Sequence, residues 1–176
     1  QGSGKTTVLR AFPLAYPPDT RIVTVETDFE LGLVSLGRPW TQEMQARMPM
    51  TSTSRGISCA DMMAPVLRTR GELNMIGEVR SDEAEPAIRA ANIGQGTLVT
   101  VHGSSAVAGL GQLIDRICER GSSERDQAAR MVYQAFDLVV HCSMARDRRR
   151  WIHEIVAPSI EGERCVVHTL YAPQPG

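Results

Sequence analysis

Gly2-Ser3-Gly4-Lys5-Thr6 ends like the phosphate-loop pattern G-x-x-x-x-G-K-[S/T]. Small residues let a backbone wrap a phosphate chain with successive N–H groups aimed at its oxygens. A helix starting at Lys5 adds the positive end of its dipole. In such a loop Lys5 reaches the β- and γ-phosphates, while the Thr6 hydroxyl meets Mg²⁺. The first Gly of the pattern would fall two positions before Gln1, and no strand precedes the loop. The sequence is therefore expected to be a fragment that lacks the launching strand and the start of the loop.

Carboxylates recur at the ends of apolar runs. Leu73-Asn74-Met75-Ile76-Gly77-Glu78 closes on an acid, in the position from which P-loop enzymes hold Mg²⁺ directly or through water. Asn74 is out of character in a buried strand. Glu26 ends the run from Ile22 to Val25, with Asp28 and Glu30 close behind. An acid at the carboxyl end of a parallel strand faces the ligand crevice, where it could align or deprotonate a water. A solvated acidic loop is the alternative, above all for Asp28. Thr100-Val101-His102-Gly103-Ser104-Ser105 sets a histidine between a strand and a helix, either as a γ-phosphate sensor or as a structural residue.

The elements that must position these groups follow from period and punctuation. A helix is expected from Lys5 to Phe12, stopped near Pro13, then a turn-rich connector at Tyr16-Pro17-Pro18-Asp19. Arg21 to Glu26 is β-branched and apolar, as in a buried strand. Residues 32 to 57 are expected to be mainly loop, with a short strand around Ala46 to Met50 and a polar Thr51-Ser52-Thr53-Ser54 stretch. Ser58 and Asp61 predict a capped helix start. That helix should run to about Arg70, with Pro65 kinking it or marking a later start. A strand is expected at Leu73 to Glu78 and a helix from about Asp82 to Asn92, with Pro86 in its first turn. After Gly94 and Gly96 come a strand at Thr97 to His102 and helices at Ser104 to Arg120 and Ser122 to Ala135. Strands at Phe136 to Cys142, Trp151 to Val156 and Arg164 to Leu170 close the chain, with turns at Ala145-Arg146-Asp147 and Glu161-Gly162. Alternating helices and strands predict a mainly parallel α/β sheet, and the last third a strand meander at its edge.

Composition bounds the partners. With 19 basic and 20 acidic residues the formal charge is -1, so there is no electrostatic argument for nucleic acid or a membrane surface. No apolar run approaches the roughly 20 residues that span a bilayer. Cys59, Cys118, Cys142 and Cys165 form no Cys-x-x-Cys pair, which disfavours metal binding and suits buried thiols in a reducing, cytoplasmic compartment. His141, His153 and His168 are read as structural, and Trp40 and Trp151 as packing residues. Met44, Met48, Met50, Met62, Met63 and Met75 are read as adaptable core filling.

The ordered set Gly-Ser-Gly-Lys-Thr-Thr, Val-Glu-Thr-Asp-Phe-Glu-Leu, Ile-Gly-Glu-Val-Arg and Thr-Val-His-Gly-Ser-Ser resembles the secretion ATPases of type II and type IV systems. Within them it is most similar to the tight-adherence (Flp) pilus assembly branch. There the segments are called Walker A, Asp box, Walker B and His box, and the likeness runs from Gln1 to about Leu170. The resemblance implies one RecA-like ATPase domain over residues 1–176 that hydrolyses ATP with Mg²⁺. It implies that Gly2, Ser3, Gly4, Lys5, Thr6, Thr7 and Arg80 contact the nucleotide and that Thr6 and Glu78 serve Mg²⁺. Glu26, Glu30, Glu78 and His102 are the implied catalytic set, with either Asp-box glutamate serving the water. Arg68 and Arg70 fall where the family has arginines near Walker B, and Arg55 in a segment that presents arginines to a neighbouring subunit. A homo-hexameric ring is implied, docked on pilus or secretion platform proteins at the inner face of the cytoplasmic membrane.

This chain departs from the family in having Glu26-Thr27 where Glu-Asp is usual, and Gln95 where an earlier histidine stands. These departures keep alive a nucleotide-binding assembly module without hydrolysis. A nucleic-acid-translocating RecA-like motor shares the same core. A GTPase would carry Asn-Lys-x-Asp, which is missing, and a small-molecule kinase an arginine-rich lid, whereas Arg146 to Arg150 lies between two strand candidates.

Overall fold

A computed structural model of the chain describes residues 2–51, 54–80, 82–119, 121 and 123–173. Gln1, Ser52, Thr53, Arg120 and Ser122, on which parts of the expected loop and helix ends fall, lie outside the described residues. The chain divides into two compact units, Thr6–Thr100 and Gln1–Lys5 with Val101–Gly176.

The Thr6–Thr100 unit is built on a four-stranded parallel sheet. Its strands are β1 (Ile22–Glu26), β2 (Thr41–Gln45), β3 (Leu73–Ile76) and β4 (Gly96–Val99), in the order β2-β1-β3-β4. Both β1 and β3 are buried along their whole length, as a parallel sheet covered on two faces requires. Leu9, Ile22, Leu31, Leu33, Leu73 and Met75 form a core cluster against which Leu98 packs. Each such side chain contributes roughly 1.5–3 kcal/mol on burial.

Helices α1 (Lys5–Ala11), α2 (Cys59–Val66) and α3 (Ala84–Asn92) flank these strands in sequence. Helix α1 gives way to a 3-10 turn at Phe12–Ala15, where Pro13 sits. The capping box at the start of α2 is fully formed: the Ser58 hydroxyl accepts from Asp61 N–H at 3.1 Å, and the Asp61 carboxylate accepts from Ser58 N–H at 2.8 Å. Pro65 does not delay this helix, which starts at Cys59. It lies inside, one residue before the end, and removes one i→i−4 hydrogen bond. The helix stops at Val66 rather than Arg70.

Strand β2 falls where loop was expected. Its sequence Thr-Gln-Glu-Met-Gln is polar because it is an edge strand, paired only with β1 and half exposed. Around residues 46 to 50 there is only an isolated bridge from Arg47 to Ile57. Asn74 proves compatible with its buried strand, since its amide donates to the Gln95 side chain at 2.9 Å.

In the other unit, α4 (Ala106–Glu119) and α5 (Arg125–Ala135) accompany an antiparallel sheet of β5 (Val139–Met144), β6 (Arg150–Glu161) and β7 (Arg164–Tyr171). The meander thus forms a three-stranded sheet of its own. On α4 the residues Ala106, Leu110, Leu113, Ile114 and Ile117 are buried at helical spacing, with Ala128 and Val132 of α5. Strand β6 runs well past the expected Val156. Pro158 sits beyond the stretch that pairs with β5, where β6 has only β7 beside it, so the sheet tolerates it.

Met62, Met63 and Met75 fill the core as expected, but Met48 and Met50 are 79% and 83% exposed. Trp40 and Trp151 are likewise exposed, not packing residues. Among the described residues no helix is long and apolar enough to cross a membrane.

Candidate functional site

The Thr6–Thr100 unit gathers its acids at the carboxyl ends of β1 and β3, which are hydrogen-bonded neighbours with Val25 opposite Ile76. Glu26 is the last residue of β1 and is only 2% exposed. One carboxylate oxygen accepts from the N–H groups of Glu30 (2.8 Å) and Leu31 (2.9 Å), which fixes the following loop. The other oxygen is buried without a hydrogen-bond partner. Glu30, held by that loop, is exposed and accepts from the Thr6 hydroxyl at 3.3 Å. Glu78 lies just past β3, between two backbone anchors: Gly77 N–H to Val25 C=O at 2.9 Å and Val79 N–H to Thr100 C=O at 2.8 Å. Its carboxylate pairs with Arg80, whose guanidinium pKa is thereby raised. Glu83, the buried residue before α3, accepts from the Arg80 N–H and so fixes the Glu78–Arg80 turn.

The second unit places Lys5 and His102 around one cavity of about 270 Å³. Ser3, Ser105, Ala106, His141 and Met144 also line it. That volume is near the lower end of the roughly 300–1,000 Å³ of small-ligand sites. Gly4, at φ 97°, takes a backbone conformation that side chains resist, which turns the loop into α1. Gly103 is needed for another reason: a Cβ there would come within 2.7 Å of the Gly109 nitrogen. The His102 loop therefore folds tightly back on α4.

His141 was expected to be structural, yet it lines this cavity. Its Nδ1 lies 3.6 Å from a Glu154 oxygen that accepts from Ala106 N–H at 2.7 Å. Arg150 was likewise overlooked. Its Nε donates to the Gly2 carbonyl at 2.6 Å, which ties β6 to the phosphate loop. The one signal for either was that both lie within the family likeness, which runs to about Leu170, because a contact between positions 2 and 150 leaves no trace in local spacing. Burial pushes the Cys142 thiol up despite the opposing charge of Lys5, and burial does the same to Cys59, so neither is an activated nucleophile.

Of the consecutive residues Lys5 and Thr6, the lysine thus lies with His102 and the threonine with Glu30. Thr6, Glu30 and Glu78 are hard oxygen donors of the kind Mg²⁺ takes. The second Glu26 oxygen, buried and without a hydrogen-bond partner, is free to accept from a further donor. Among the described residues no group of three or more His, Cys, Asp or Glu side chains could hold a metal alone. Mg²⁺ that shares phosphate oxygens needs only one or two protein ligands. Arg68 and Arg70 are exposed, the latter at φ 55°, and Arg55 pairs with Asp61 at 3.1 Å.

A parallel sheet with acids at its strand ends is an α/β arrangement in which ligands meet the carboxyl ends of the strands. Residues 1–115 match the family model described as type II/IV secretion system protein, and the chain belongs to that family. It is 29% identical over 148 residues to the type IV secretion system protein VirB11 of Bartonella henselae, covering 80% of this chain and 40% of that protein. It is 35% identical over 116 residues to the type II secretion system protein E of Pseudomonas aeruginosa, covering 65% and 21%. The crystal structure of the VirB11 ATPase of the Brucella suis type IV secretion system, in complex with sulphate, superposes with a TM-score of 0.77 at 24% identity. That match covers 89% of this chain and 46% of the other, and bears out the expected α/β fold. The chain spans about 40% of the length of VirB11 relatives.

Proposed function

We propose that this chain is the ATP-hydrolysing core of a ring motor that drives pilus assembly or protein secretion, of the tight-adherence branch, as one ATPase domain. The observation that carries the reading is Lys5 and His102 on one cavity, with Thr6, the next residue, bonded to the Asp-box acid Glu30. Gly2, Ser3, Gly4, Lys5, Thr6, Thr7 and Arg80 bind the triphosphate, and Thr6 and Glu78 hold Mg²⁺. When bound, Mg²⁺ supplies charge neutralisation at the phosphate oxygens. Lys5 adds a positive charge beside them, and His102 reports the presence or loss of the γ-phosphate. Glu30 is the better candidate to orient the attacking water, because Glu26 is sealed and already bonded to two amides. Glu26 then acts by holding the loop that carries Glu30. Six copies in a ring, at the inner face of the cytoplasmic membrane and docked on platform proteins, would turn hydrolysis into movement.

The burial of Glu26 also favours a second reading, a nucleotide-binding module that no longer hydrolyses. ATPase assay of the full-length protein with and without Glu78→Gln separates them. The motor reading expects turnover that falls about a hundredfold or more in the variant. ATP bound by both proteins without turnover by either would replace it with the second.

A further inference from the structure

Arg150 and Glu154 stand four positions apart on β6, and neither lines the cavity. Each is bonded to a segment that does. Arg150 Nε–H donates to the carbonyl of Gly2, one residue before Ser3. Its Cδ lies 3.4 Å from where a Cβ on Gly4 would sit. Glu154 accepts from the N–H of Ala106, the first residue of α4, directly after the His102–Ser105 turn. The same oxygen lies beside Nδ1 of His141, across the strand pair.

Between these two residues β6 carries an irregularity. His141 pairs with Glu154, but Cys142 pairs with Ile152, leaving His153 as an extra residue. Such a bulge re-aims the side chains on either side of it and is common beside active sites. It lets one strand serve two different loops.

We propose that β6 is the positioning strand of the phosphate site, with Arg150 fixing the glycine-lysine loop and Glu154 fixing the loop that carries His102. Both bonds involve an ionised side chain, which makes them stronger than neutral ones. Arg150 also sets a cation against the loop that has to accept a polyanion. Neither residue touches the reacting atoms; each acts through the backbone it holds. The proposal rests on the reading of this cavity as the triphosphate site.

The test uses the full-length protein, Arg150→Ala, Arg150→Lys, Glu154→Ala and Glu154→Gln. It measures ATP affinity with Mg²⁺, melting temperature, and amide exchange over residues 2–8 and 102–110. Loss of one charge-assisted bond predicts about tenfold weaker ATP binding for Arg150→Ala, with faster exchange in residues 2–8. Glu154→Ala should instead speed exchange in residues 102–110. Glu154→Gln, which keeps an oxygen for Ala106 N–H, should restore most of the affinity. A merely structural bond would lower melting temperature without that rescue of affinity. Arg150→Lys keeps the charge but not the Nε donor and should fall between parent and alanine variant, which guards against misfolding of the latter. Parent-like affinity in both alanine variants overturns the proposal, whether or not exchange changes. A parent protein that binds no ATP overturns the functional reading itself, and this proposal with it.

Discussion

Two glutamates in the Asp-box segment have different surroundings, and the difference separates their roles. Glu26 is almost fully covered and anchors the Glu30–Leu31 backbone through two hydrogen bonds, whereas Glu30 is exposed and reaches Thr6. Replacing Glu26 with Ala strands two N–H groups and should cost about 1–3 kcal/mol or more in stability, measured by denaturant unfolding. Glu30→Gln should leave stability within about 0.5 kcal/mol, as an exposed substitution does, yet lower ATP turnover. Equal loss of stability in both variants would erase the distinction. Gly103→Ala is expected to push the His102 loop off α4, since 2.7 Å to a backbone nitrogen leaves no room for a methyl group. Its ATP affinity should fall further than its melting temperature.

Among the elements, α2 gives the clearest pH dependence. The Ser58 N–H and hydroxyl lower the Asp61 pKa below its ordinary 3.8, with a smaller contribution from Arg55. A depressed carboxylate stabilises the fold above its unfolded pKa and loses that effect as pH falls through the folded pKa. Asp61→Asn should therefore be less stable than the parent at pH 7 and equal to it in acid well below pH 3.8. Ser58→Ala should cost about 1 kcal/mol at neutral pH, read from thermal or denaturant unfolding. This cap was legible because its two residues are three apart and their hydrogen bonds are local. Strand β1 was legible too, since a buried parallel strand must be apolar throughout. Strand β2 was not, because an edge strand has no need of an apolar pattern. The length of β6 was hidden by Arg148-Arg149-Arg150 at one end and by Pro158 within it, residues that ordinarily mark strand ends. The four ordered motifs pointed to the candidate site, while Arg150, Glu154 and His141 left no local signal because their partners are remote in sequence.

At the scale of the molecule, Lys5, which lines the cavity with His102, is followed in the chain by Thr6, which is bonded to Glu30. The proposed function requires the consecutive residues Lys5 and Thr6 to serve a single Mg²⁺–triphosphate. Mn²⁺ in place of Mg²⁺ makes the claim measurable, because a bound paramagnetic ion broadens nearby amide signals in an isotope-labelled sample. With Mn²⁺ and ATP added, the amides of Gly4, Gly77 and Gly103 should all broaden, and Lys5→Ala should abolish the effect at all three. Broadening confined to Gly77, or to Gly4 and Gly103, would contradict a shared triphosphate.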